Sequence, residues 1–244
     1  MRWRNTMTAT VALALLAGSS VAADPAPGTY INEGGFGVLE ISRAADGTLG
    51  FGIEELGANA HTCSLGGEIR DGKAELATME NESCRLTFRV DKAGVHVEQN
   101  ADDQERCRHF CGARAYFGGL YLRPPAGCAP AEVAATRKRF KQLYDQRKHA
   151  EAAAQLDSLL PRCERVIMDI DRGWIESDLA ITRHKLGDDA GCRAALAGRT
   201  ELAAMSDEEI VESYPPVEGE LYGRLAGAVR TNLKLCAERA QPGG

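Results

Sequence analysis

Several common signatures are missing from this 244-residue chain, and each absence narrows what it can do. After residue 23 there is no apolar run of ~20 residues, so nothing there reads as a membrane-spanning helix. A G-x-S-x-G elbow, a phosphate loop, an HExxH pair and a dinucleotide fingerprint are also missing, which removes the motif-based grounds for the corresponding enzyme classes. No excess of basic residues exists either: 29 Lys and Arg face 35 Asp and Glu, a formal charge of −6 that argues against nucleic acid or anionic lipid as the main ligand. The closest cysteines, Cys107 and Cys111, are separated by three residues and not by the two of a thioredoxin-like pair.

What is present begins with an export signal. Arg2 and Arg4 precede the short apolar run Val11 to Ala17, and Val21 and Ala23 occupy the small-residue positions before a cut ahead of Asp24. Residues 1–23 are expected to be a signal peptide and the mature protein to be periplasmic or secreted. With no Cys in that segment, a lipoprotein anchor is not expected. Losing Arg2 and Arg4 but no acid takes the formal charge from −6 to −8, a surface that would steer basic partners.

All eight cysteines, at 63, 84, 107, 111, 128, 163, 192 and 236, follow that signal. An even count in an exported chain reads as disulfides. They divide four and four around "RPPAGC", which suggests two stapled domains in an α+β chain. From 24 to 121, period-2 runs alternate with Gly-containing turns. Leu49, Phe51 and Ile53 share a face, as do Cys63, Leu65 and Ile69, then Cys84, Leu86, Phe88 and Val90, then Val95 and Val97. This predicts seven or eight antiparallel strands in a meander or small barrel. Residues 122–129 form a Pro-rich linker. Residues 130–244 are Ala-rich with helical spacing, one run closing at Pro161 and a last helix expected near Glu218 to Glu238.

Within the helical part, Tyr144, Ala152 and Leu156 align with His184, Cys192 and Leu196 at an offset of forty residues. With Trp174 and the turn Gly187, this resembles a tetratricopeptide pattern, though Arg147 stands where the first turn glycine belongs. The resemblance implies helical hairpins in which Trp174 and Tyr144 are packing residues.

Hairpin geometry favours Cys128 with Cys163 and leaves Cys192 with Cys236. Taking Asp71-Gly72 as a hairpin centre puts Cys63 opposite Glu80 and near Cys84, so Cys63–Cys84 and a small Cys107–Cys111 clasp are expected. The spacing is compatible with other connectivities. His61, Cys63, Cys107, His109 and Cys111 could in principle hold zinc, but only one pair has ligand spacing and an oxidising compartment favours the staple. No metal, cofactor or catalytic residue is assigned. Glu54, Glu55, Glu80, Asp102 and Asp103 read as solvated turn and edge charges.

The stretch "GANAHTCSLGGEIRDGKAELATMENESCRLTFRV…CRHFCGARAYFGGLY" resembles a β domain of exported proteobacterial proteins, found in some of them beside a lysozyme-inhibitor module of the LprI type. Asn59, His61, Cys63, Gly67, Cys84, Cys107, Cys111, Gly112, Arg114 and Ala115 carry the resemblance. The Cys-bearing helical LprI signature itself is missing, with the helical repeats in its place. The resemblance implies a protein partner, a basic cell-wall hydrolase or a delivered toxin, but carries over no inhibitory residue. On that reading the loops at one end of the β domain, Asn59 and His61 with His109 to Arg114, are expected to meet it. The competing expectations are an envelope adaptor that binds through its helical repeats and, third, a glycan-acting enzyme.

Overall fold

A computed structural model describes residues 24–78 and 82–238. The expected signal peptide and Glu80 lie outside the described residues.

The first half is an antiparallel sheet of eight strands: β1 (Gly28–Asn32), β2 (Gly37–Arg43), β3 (Leu49–Leu56), β4 (Thr62–Ile69), β5 (Lys73–Ala77), β6 (Ser83–Val90), β7 (Val95–Gln99) and β8 (Gly119–Leu122). Their order is β4-β3-β2-β1-β8-β7-β6-β5, so the last strand returns beside the first and the sheet curls into a nearly closed barrel. The alternation read from the sequence is the alternation observed. Leu49, Phe51 and Ile53 of β3, Leu65 and Ile69 of β4, and Leu86 and Phe88 of β6 fill one interior, with Phe51 and Phe88 edge-to-face at 4.9 Å.

Closure at the β4/β5 seam is only partly by hydrogen bonds. Asp71 and Gly72, with φ of 51° and 69°, make the two-residue turn for which Asp-Gly is suited. Among the described residues, pairing between these strands stops at Arg70 and Lys73, and β5 turns instead to β6. The seam therefore opens towards Cys63. The segment after β7 fills it: a 3₁₀ turn, α1 (Gln104–Cys107) and a second 3₁₀ turn to Phe110. Cys111 bonds Cys63 on β4 and Cys107 bonds Cys84 on β6. The expected pairs Cys63–Cys84 and Cys107–Cys111 are thus exchanged. The expectation assumed that β4 and β5 stay together along their length; because they splay, the helical turn comes between Cys63 and Cys84 and each takes its partner from it. Loops of 48 and 23 residues are closed in this way. Each is worth about 3 to 4 kcal/mol of chain entropy, against about 2 for the short clasp.

The second half contains α2 (Pro130–Asp145), α3 (His149–Cys163), α4 (Asp169–Lys185), α5 (Asp189–Ala195), α6 (Thr200–Ala204), α7 (Asp207–Ser213) and α8 (Pro216–Glu238). Helix α3 runs through Pro161, which lies in its last turn and removes only one backbone bond there. The pairs Cys128–Cys163 and Cys192–Cys236 form as expected, the first closing the α2/α3 hairpin and the second tying α5 to α8. Ala152, Leu156, Cys192 and Leu196, matched in the sequence, are all fully buried. Trp174 and Tyr144 pack on the helical cores.

The two halves share a core. In β1 and β8, Tyr30 and Tyr121 point into the barrel, while their neighbours Ile31 and Leu122, paired across the strands, point out and are buried among Phe140, Leu156, Leu159 and Ile175. At the β1–β2 turn, Gly34 donates its N–H to Arg165 O at 2.8 Å. Gly35 (φ +83°) lies so close to Ile167 and Met168 that a Cβ would fall 2.5 Å from the Met168 nitrogen.

Candidate binding cleft between the barrel and the helices

The tight loop expected at Gly57 to His61 is a one-turn 3₁₀ segment with two successive left-handed residues, Asn59 and Ala60. Ala58 donates its N–H to Arg114 O at 3.1 Å, and Gly112 donates to Thr62 O at 2.8 Å. His61 is half-buried with its ring against Gly112, where a Cβ would sit 2.6 Å from Nδ1. The loops at 57–62 and 111–115 are therefore one surface, pinned by Cys63–Cys111. Arg114 and His109 are exposed, His109 on the turn before Cys111. Asn59 faces the other way. Its N–H donates to Glu218 Oε1 at 2.7 Å, and its side-chain carbonyl accepts from Val217 N–H at 3.4 Å, so it fastens the barrel to the start of α8. With Cys63, Cys107 and Cys111 all in disulfides, their sulfurs are spent as staples and not available as thiolate ligands.

Beside this loop surface a cleft of about 540 Å³ opens between barrel and helices. Its barrel wall includes Phe36, Glu55, Leu56, Arg114 and Tyr116; its helical wall includes Met168, Asp169, Ile170, Tyr214, Val217 and Tyr222. Large apolar or aromatic side chains left in water gather here: Phe36 (47% exposed), Leu56 (39%), Tyr116 (58%) and Val217 (42%). Among the described residues only Leu186 and Val211 are comparable elsewhere. Exposed apolar side chains gathered around one concavity are the usual mark of a binding site, whereas scattered ones need no explanation.

The floor holds the residue the sequence reading misjudged. Glu55 follows Leu49, Phe51 and Ile53 in the inward phase of β3 and is only 5% exposed. Its carboxyl lies over Gly37, where a Cβ would be 2.1 Å from Cδ. Tyr121, buried behind it, presents its hydroxyl 2.7 Å from Glu55 Oε1 and 2.7 Å from Phe117 O. Burial pushes the Glu55 carboxyl up to about 7, an effect the Tyr121 bond only partly offsets. The Tyr121 hydroxyl is held above its usual value, by burial first and the Glu55 charge second. One hydroxyl proton cannot serve both acceptors, so protonated Glu55 can donate to Tyr121 while Tyr121 donates to Phe117.

Asp103 is the other acid misread as solvated. It is fully buried, takes both Nε and Nη2 of Arg85 at 2.6 and 2.9 Å, and also meets Arg106. The Arg85 hydrogen bonds lead the effects that hold it down at about 2, against the penalty of burial. It anchors the seam-filling turn. Glu54 and Asp102 are exposed, as expected.

On the helical wall, burial works against the charge of Asp169. The Arg199 guanidinium at 2.7 Å overrides this, and the carboxyl stays below its ordinary value. Tyr222 donates its hydroxyl to the same carboxylate at 3.1 Å and stacks on Tyr214 at 4.3 Å. Glu55 was legible as an inward position by strand phase alone; Asp169, Tyr214 and Tyr222 reach the cleft through tertiary packing and left no local signal. No family model, curated protein or solved structure matches this chain.

Proposed function

We propose that the protein is an exported binding protein that engages a protein partner at the cleft and its loop rim, and that the partner is a cell-wall hydrolase or a delivered toxin whose action it blocks. The observation that carries this reading is the gathering of Phe36, Leu56, Tyr116 and Val217 around one concavity, next to the joined loops of His61 and Arg114. Binding energy in protein interfaces concentrates in such aromatic and Arg-bearing centres. Four disulfides fit an oxidising, exported location, and no helix among the described residues is long and apolar enough to cross a membrane. The likeness to the β domain found beside LprI-type modules points to the same partner class, and the acidic surface suits a basic one.

The test is a complex-formation and inhibition assay with the mature, oxidised protein against lysozyme-like hydrolases. Stoichiometric inhibition, lost in a Tyr116→Ala, Arg114→Ala double variant that keeps its melting temperature, is the expected result. Full inhibition by that variant would remove the cleft rim from the interface, and no complex at micromolar concentrations would remove the hydrolase.

A second reading is an envelope adaptor whose helical hairpins, read as degenerate tetratricopeptide-like units, hold a partner. It draws on the helical hairpins away from the cleft, where Arg137, Phe140, Lys141 and Tyr144 of α2 line a shallow groove with Asp178 and Ile181 of α4. Charge reversal on the outer face of α2 and α3 separates the readings, because only the adaptor would lose its partner.

A further inference from the structure

We infer that the cleft takes a cationic group on an apolar stem, the side chain of a basic residue presented by the partner, and that Glu55 is the anion that receives it. This inference rests on the cleft being the binding site. Three carboxylates, of Glu55, Asp169 and Glu218, line the cleft with a single guanidinium, that of Arg114 on its exposed rim. Their acceptors are unequally used. Asp169 is occupied by Arg199 and Tyr222. Glu218 gives Oε1 to the Asn59 N–H, but its Oε2 is buried without a hydrogen bond among the described residues. Glu55 gives Oε1 to Tyr121, and no hydrogen bond reaches its Oε2 among the described residues; the residue is only 5% exposed, yet this oxygen stays open to the cleft. One buried carboxylate oxygen, Glu218 Oε2, and one open to the cleft, Glu55 Oε2, both without donors, mark a place that can receive N–H groups, since buried acceptors are otherwise nearly always satisfied.

The walls fit the remainder of such a ligand. Tyr116, Tyr214 and Tyr222 offer ring faces, which attract cations, and Phe36, Leu56 and Val217 can cover an aliphatic stem. An anionic ligand would meet three carboxylates, and a purely apolar one would leave the Glu55 and Glu218 oxygens dry and unpaired. The burial that raises the Glu55 carboxyl acts with no cation at hand in the free protein; an ammonium at Oε2 would reverse that cost.

The probes are hexylammonium and its neutral counterpart hexanol, titrated into the mature, oxidised protein at pH 8 and followed by NMR at the cleft tyrosines and the Glu55 backbone. Hexylammonium should bind about tenfold or more tightly than hexanol, the range of a charge-assisted hydrogen bond. Glu55→Gln should bring the two affinities together without weakening hexanol, and Glu218→Gln should narrow the gap less. Equal binding of both probes at the cleft would overturn the cationic assignment while leaving the cleft as a binding site. An ammonium preference that survives Glu55→Gln would overturn the role of Glu55. Signals perturbed elsewhere, or nowhere, by both probes would overturn the cleft itself, and this inference with it.

Discussion

Asp103 and Glu55 are the two buried acids among the described residues, and they sit in opposite electrostatic settings. Asp103, at the seam of the barrel, is clasped by Arg85 and Arg106 and held down at about 2. Glu55, at the cleft, has a tyrosine hydroxyl, a glycine that makes room for it, no cation, and a carboxyl pushed up to about 7. A carboxylate that serves the fold is neutralised by the fold. One that is buried and left without a cation costs stability, and such positions concentrate where a protein binds or reacts. The contrast sets a carboxylate built into the fold apart from one left open to the candidate cleft.

The sharpest way to break this contrast is to remove what holds the seam. A Cys63→Ala, Cys111→Ala variant should lose about 4 kcal/mol in chemical denaturation. It should also weaken any cleft ligand, because the loops at 57–62 and 111–115 come apart. Peptide mapping of the unreduced protein should recover Cys63 with Cys111 and Cys84 with Cys107; recovery of Cys63 with Cys84 would refute the seam.

Next in size is the pH dependence of Glu55. Its folded value lies above the 4.5 of an unperturbed glutamate, so the folded state holds the proton more tightly. That contribution is complete below about 4.5 and is lost as pH rises through about 7. Stability should therefore decline across this window by roughly 3 kcal/mol at most. Glu55→Gln should flatten that decline and be more stable than the parent at pH 8, as read by urea midpoints. An unchanged slope would place the carboxyl in water.

Asp103 should behave in the opposite sense. Its folded value is depressed, so its contribution is present above about 4 and lost as pH falls through about 2. Asp103→Asn should lower the melting temperature at neutral pH and reduce the loss on acidification. The effect should be smaller than that of a broken disulfide, since Arg85 and Arg106 remain partly exposed and can be hydrated by water. The smallest effect belongs to Glu54→Gln, one residue from Glu55 but exposed. It should stay within about 0.5 kcal/mol at any pH from 4 to 8.

Much of the barrel could be read from the chain because alternation is a local property. Leu49, Phe51 and Ile53, or Leu86 and Phe88, announce their face without help from the rest of the molecule. The same rule placed Glu55 inward, and the error lay in letting its charge outweigh its phase. The consecutive apolar residues Leu120, Tyr121 and Leu122 carried a further signal, since a strand apolar on both faces must be covered on both. The disulfide exchange was not legible, because it depends on how far β4 and β5 run together. Nor were α6 and α7, whose short lengths give no sustained period. The helical hairpins and their two disulfides were legible because antiparallel packing brings residues at the ends of a hairpin together.

The shared core under β1 and β8 bears on how this chain can be taken apart. The Pro-rich linker looks like a natural place to cut, yet Ile31 and Leu122 on one side and Phe140, Leu156 and Ile175 on the other would each lose their cover. A fragment ending near residue 122 would carry a greasy patch on its outer wall, and one beginning at residue 130 would lack part of its lining. For engineering, the two halves are a single casting: neither can be transplanted as a cassette unless the severed face is redesigned with it.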